Sequence, residues 1–183
     1  MNRLVAYVRE RFPLRVFVPA VGLLGGLAWA ASGARLSSLP WCVALVSLLV
    51  LQFRLWDDLE DVDLDRHSHP SRVLTRSPLL PFRVTLALLM AGAAVGFAGS
   101  GGTLAAYASL CVAMRAGYRA VRRRVTDRSW RYGMLLVKYP AFVALVVAAS
   151  GPIDSLRILV SAALAYLAAA GYEAWHTHTG VPI

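Results

Sequence analysis

Apolar residues run along this chain in long solid blocks, and the short polar stretches between them carry nearly all of the charge. A helix needs about 20 mostly apolar residues to cross the hydrocarbon core of a bilayer. Six blocks fit that requirement, near residues 14–32, 39–58, 82–100, 102–118, 132–150 and 156–175. The second is purely apolar only as far as Phe53, so its helix must continue through Arg54 and the acidic residues beyond to reach full length. The blocks are rich in Ala, Leu, Val and Gly and lack the period-two alternation of a membrane barrel strand. Helices also satisfy every backbone polar group within the segment, as hydrocarbon requires. The pattern predicts an all-α, multi-pass transmembrane bundle of about six helices in a single domain. Gly22, Gly25, Gly26, Gly92 and Gly96 fall inside these blocks, where they are expected to let helices approach closely.

Composition agrees. The chain has 183 residues, of which 58% are hydrophobic and only 16% charged. A soluble domain has nearer a quarter of its residues charged. The formal net charge of +9 raises nucleic acid as a partner, but the placement of the charge excludes it. Basic residues gather at the ends of apolar blocks, as anchors facing anionic headgroups do. The expected partner is therefore the lipid bilayer. Cys42 and Cys111 both lie in apolar blocks without metal-ligand spacing, and read as small buried residues. The basic arm with Arg3, Arg9 and Arg11 precedes the first block, and no cleavage site follows, so a signal anchor is expected rather than a cleaved leader.

Arginine placement sets the expected orientation. The amino-terminal arm and the segments 54–83 and 115–131 hold sixteen of the nineteen basic residues. By the positive-inside rule both termini, the acidic segment and the Arg-rich loop face the cytoplasm, across the cell's inner (plasma) membrane.

The segment RLWDDLEDVDLDRHSHPSRVL, Arg54 to Leu74, departs from everything around it. Six of the chain's ten acidic residues fall within the nine positions 57–65. On a continuing helix, Asp58, Asp61 and Asp65 share a face, with Asp57 four positions before Asp61. Carboxylates stacked in this way repel unless a cation joins them. Mg²⁺ is the expected cation, being hard and commonly held by one or two carboxylates plus substrate phosphates. Arg54 lies on the face of Asp58, while Arg72 and Arg76 follow the acids; the planar guanidinium fork matches phosphate oxygens. Together they suit a ligand with a diphosphate head and a hydrocarbon tail. The alternative is a plain solvated loop in which Arg54 neutralises Asp58. An EF-hand is excluded, because Arg66 and Arg72 stand where that loop needs Gly and Glu. His67 and His69 lack zinc-site spacing; with His176 and His178 they form either a transition-metal cluster or, as we expect, interfacial residues. Lys138, ionisable within a span, is expected either to pair with an acid or a phosphate or to snorkel to the headgroups, and Pro140 to kink its helix.

This segment resembles the UbiA superfamily of intramembrane prenyltransferases, whose second helix ends in N-D-x-x-D-x-x-x-D, followed by a proline and an Arg-Pro pair. Asp58, Asp61 and Asp65 fall on the three acids, Pro70 on the proline and Arg72 on the arginine. Asp57 stands where the family has Asn, and Val73 where Pro follows the arginine. YRAVRRR is similar to the family's Tyr-x-x-x-Lys/Arg-Arg segment, through Tyr118, Arg122 and Arg123. The second family motif, D-x-x-x-D, is absent as such: Glu173 takes the place of its first acid and Thr177 that of its second.

The resemblance covers nearly the whole chain and six of the family's usual nine helices. It implies a UbiA-like fold and a Mg²⁺-dependent transfer of an isoprenoid chain from a prenyl diphosphate to an acceptor that the sequence does not identify. The implied catalytic residues are Asp58, Asp61 and Asp65. The implied metal ligands are these three with Asp57 and Glu173, and the implied diphosphate ligands are Arg72, Arg122, Arg123 and Lys138. The smaller helix count leaves three readings open: a compact enzyme, a chain completed by a homo-oligomer or partner subunit, and a non-catalytic UbiA-like protein that binds a lipid diphosphate or a metal. CDP-alcohol phosphotransferases also have six helices, but their D-G-x-x-A-R string is missing.

Overall fold

The computed structural model describes residues 2–124, 136–151 and 154–179; the side chains of residues 119, 121–124 and 176–179 lie outside the description. It is all-helical, with no strand among the described residues. The α-helices are α1 (Arg3–Arg11), α2 (Leu14–Ser32), α3 (Leu39–Ser68), α4 (Leu80–Phe97), α5 (Gly101–Arg124), α6 (Lys138–Ser150) and α7 (Ser155–Thr179), with a 3₁₀ turn at Leu36–Ser38.

Four of these, α2, α3 with its 3₁₀ lead-in, α4 and α7, are long and apolar enough to cross a membrane. No more than a third of the residues in each apolar window is buried within the bundle. Leu14, Leu88, Val95, Leu159 and Leu167 point outward, so the outer surface is as oily as the inner one and suits lipid rather than water. This is a membrane protein. Of the other two expected spans, α5 has the length but is less apolar, carrying Arg115 and its basic last turn. The apolar helix α6 has 13 described residues, and 132–135 lie outside the description. Pro140, expected to kink that helix, falls in its first turn, where a missing N–H costs no intrahelical bond.

Helix α3 is the axis of the bundle, packing against α2, α4 and α6. Its buried residues Cys42, Val46, Leu49, Phe53 and Trp56 recur every three or four positions, the spacing that keeps one stripe facing inward. They meet Leu24 and Ala28 of α2, Phe97 of α4, and Phe142, Val143 and Val146 of α6 in one core. The two cysteines are free and buried, as expected.

Close approach explains two of the glycines. A Cβ on Gly25 would lie 2.9 Å from the Cα of Val43, so α2 and α3 touch backbone to backbone there. One on Gly96 would lie 2.5 Å from a Leu45 methyl carbon. Gly22 and Gly26 have open space around them, and Gly92 is in ordinary contact with Leu48.

The 30 residues of α3 rise about 45 Å, against about 30 Å of hydrocarbon. Its last turns therefore extend beyond the apolar run, as the sequence predicts, and carry the acidic residues. Helix α1 folds back against these turns. Asn2 caps it, accepting a hydrogen bond from the Leu4 N–H at 3.1 Å. Tyr7 and Phe12 pack with Leu55, Val62, Leu74 and Phe82 in a second, smaller core. The Tyr7 and Phe82 rings meet edge-on, 5.4 Å between centroids. The amino-terminal arm and the acidic segment thus share one end of the bundle.

Candidate functional site

Asp58 and Asp65 are two turns apart on α3 and face the same way. Both line a small cleft with Tyr7, Glu10, Arg11, Arg72 and Leu74. Asp58 is 5% exposed, and a buried carboxylate needs partners. It has three. The guanidinium of Arg11 donates from Nε to Oδ2 at 2.8 Å and from Nη2 to Oδ1 at 2.5 Å. The Tyr7 hydroxyl donates to Oδ2 at 2.8 Å. Arg54, its neutralising neighbour in the solvated-loop alternative, stands 3.9 Å away. Burial acts to lower the affinity of Arg11 for its proton, but the Asp58 carboxylate outweighs it, and the guanidinium holds its proton more firmly than usual. Burial and then Asp58 push the Tyr7 phenol upward, so it stays neutral and donating.

Arg72 Nη1 donates to Asp65 Oδ2 at 2.5 Å, and His69 Nδ1 lies 3.6 Å from Asp65 Oδ1. The loop after α3 is folded to deliver Arg72. Arg76 Nε donates to the Pro70 carbonyl at 2.7 Å, and Thr75 Oγ1 to the Arg72 carbonyl at 2.7 Å. The Val73 N–H donates to Glu10 Oε2 at 2.9 Å. That bond needs a backbone N–H at position 73, which proline would lack.

Asp57 points elsewhere. It receives hydrogen bonds from Lys138 Nζ and from the Tyr118 hydroxyl, in a pair whose side chains are only 9% and 16% exposed. The structure therefore brings Asp57 and Lys138 together, away from the Asp58–Asp65 cleft. Asp57 was expected beside the metal, and Lys138 beside either an acid or a phosphate; the partner of Lys138 is an acid. Asp61 is half-buried and lies between Asp58 and Asp65 by helical register. Asp63 is exposed and pairs with Arg66 at 2.7 Å.

Glu173 is half-buried on α7. Arg122 and Arg123 belong to the last turn of α5, but their side chains lie outside the described residues, as do those of His176, Thr177 and His178. His67 and His69 are exposed.

Sequence reasoning missed Arg11, Tyr7, Glu10 and the pairing of Tyr118 with Asp57. In the sequence Arg11 stands out only as part of a basic arm. Tyr7 and Arg11 are four apart on one helix, which is a signal that they share a face, but nothing local says which face of α3 they meet.

Asp58 and Asp65, each paired with an arginine, offer oxygen donors of the type magnesium takes. Among the described residues no group of three His, Cys, Asp or Glu side chains is gathered as a metal cage. Magnesium does not require one, since it usually keeps waters and takes one or two carboxylates plus substrate phosphates. Asp58 and Asp65 supply hard oxygens along one side of the cleft, with Asp61 between them in register, and Arg11 and Arg72 supply phosphate-matching forks.

In comparison with known proteins, the chain matches no family model, no curated protein and no solved structure.

Proposed function

We propose that this protein is a magnesium-dependent membrane prenyltransferase of UbiA type, which moves an isoprenoid chain from a prenyl diphosphate to an electron-rich acceptor. The observation that carries this reading is the convergence of two carboxylates and two arginines in one cleft at the polar end of an apolar bundle. A diphosphate head with a hydrocarbon tail is the ligand that uses both parts.

In this proposal Asp58, Asp61 and Asp65 hold the metal, and Arg72 contacts the diphosphate. A divalent cation held there would supply charge neutralisation to the diphosphate leaving group. The chain's own residues align the head against the tail: the arginines fix the phosphate end, and the apolar helices take the isoprenoid and keep water from the carbocation. An electron pair of the acceptor forms the new bond to the allylic carbon, the acceptor loses a proton, and diphosphate leaves.

Incubating the purified chain in lipid with labelled prenyl diphosphate and an acceptor-containing membrane extract tests this reading. Labelled lipophilic product should form with Mg²⁺, stop on chelation, and return when the metal is restored. A second reading, a non-catalytic membrane protein that binds a lipid diphosphate, has one observation in its favour: Asp57, Asp58 and Asp65 each have a cationic partner within the protein, as a structural clasp would. A stable complex with a separate chain that carries all the turnover would favour it.

A further inference from the structure

We infer that the amino-terminal helix α1 is part of the site, and that Arg11 is a diphosphate-binding residue which exchanges the Asp58 carboxylate for phosphate when a divalent cation takes Asp58. This inference rests on the reading of the cleft as a magnesium–diphosphate site and deepens it.

Three observations carry it. Arg11 meets Asp58 through Nε and Nη2 together, the planar two-point geometry that fits a pair of phosphate oxygens equally well. Arg11 and Arg72 line one cleft, each on a carboxylate of the same helix face. Thirdly, Arg11 does not depend on its salt bridge to stay there. Tyr7 and Phe12 anchor α1 in the smaller core. Glu10 holds the Val73 N–H, and Arg3 Nη1 reaches the Arg76 carbonyl at 3.4 Å. Released from Asp58, Arg11 remains at the cleft as a buried cation in need of an anion.

Charge makes the exchange a coupled one. Diphosphate alone would add negative charge beside Asp58 and Asp65. A divalent cation alone would add positive charge beside Arg11 and Arg72. Added together they satisfy both sets, with the cation on the carboxylates and the phosphates on the arginines. Each ligand should therefore raise the affinity of the other.

The test is calorimetric titration of the full chain in detergent with MgCl₂ alone, and with inorganic pyrophosphate at saturating Mg²⁺. The chains compared are wild type, Arg11→Gln, Arg11→Lys, and Arg9→Gln as an equal loss of charge on the exposed side of α1. Losing two charge-assisted bonds should weaken pyrophosphate binding by about 10- to 100-fold in Arg11→Gln. Its affinity for Mg²⁺ alone should be unchanged or tighter, because Asp58 no longer has a competitor. Arg11→Lys should fall between, and Arg9→Gln should match wild type.

Equal weakening of Mg²⁺ and pyrophosphate in Arg11→Gln would make Arg11 a purely structural residue and overturn the inference. So would unchanged pyrophosphate affinity in both Arg11 variants, which would leave the diphosphate reading standing. If Arg11→Gln fails to fold, Arg11→Lys decides, since it keeps the charge on Asp58 and removes only the fork. A wild-type chain that binds no pyrophosphate with Mg²⁺ would overturn the reading of the cleft and the inference with it.

Discussion

Replacing Lys138 with Ala should lower the stability of the bundle by about 3 kcal/mol or more, measured as loss of the folded fraction in a denaturant titration in detergent. Lys138 is 7% exposed and meets Asp57 beneath the polar end of the bundle, where Tyr118 joins them. The three residues come from α6, α3 and α5, so their bonds pin three helices together at one point. Removing the ammonium leaves a buried carboxylate whose remaining hydrogen-bond donor among the described residues is the Tyr118 phenol, and that poorly compensated charge is the source of the loss. The double variant Lys138→Met with Asp57→Leu should regain much of it, because an apolar pair of similar volume carries no desolvation penalty. If Lys138→Ala is as stable as wild type, the pair is not buried in the folded protein.

The largest functional effect is expected at the carboxylates proposed to hold the metal. Asp58→Asn and Asp61→Asn should each reduce prenyl transfer by about 100- to 1,000-fold, the range seen when one stabilising group is removed from a transition-state charge site. Asn keeps an oxygen but not the charge that a hard cation needs. Asp63→Asn is the internal control, since Asp63 is exposed and pairs along its own helix with Arg66; its turnover should stay near wild type. Variants of Asp58 and Asp61 that kept full turnover and full metal dependence would rule out the proposed mechanism.

Much of the fold was legible in the sequence because membrane helices announce themselves locally. The blocks at 14–32, 82–100 and 156–175 correspond to α2, α4 and α7 within a few residues. The run of α3 past Phe53 was legible too, since nothing in Arg54–Ser68 breaks a helix. Helix α1 was not. A nine-residue helix is marginal on its own, and α1 owes its place to Tyr7 and Phe12 packing against residues far along the chain, from Leu55 to Phe82.

The candidate site divides in the same way. Periodicity put Asp58 and Asp65 on one face, and the structure places both in one cleft. Their partners were out of reach. Arg11 meets Asp58 across 47 positions, and Tyr118 meets Asp57 across 61; pairs so distant leave no local pattern. Adjacent acids also look alike in sequence, although a helix turns about 100° per residue. That rotation sends Asp57 to Lys138 and Asp58 to Arg11.

The central claim is that the polar end of α3 takes a diphosphate together with a divalent cation. Its most direct test is binding of a prenyl diphosphate to the purified protein, with and without Mg²⁺, in wild type and in Asp61→Asn. The account predicts binding that requires Mg²⁺ and is lost in the variant. Binding that is absent under both conditions, or that persists unchanged without the metal and in Asp61→Asn, would contradict it.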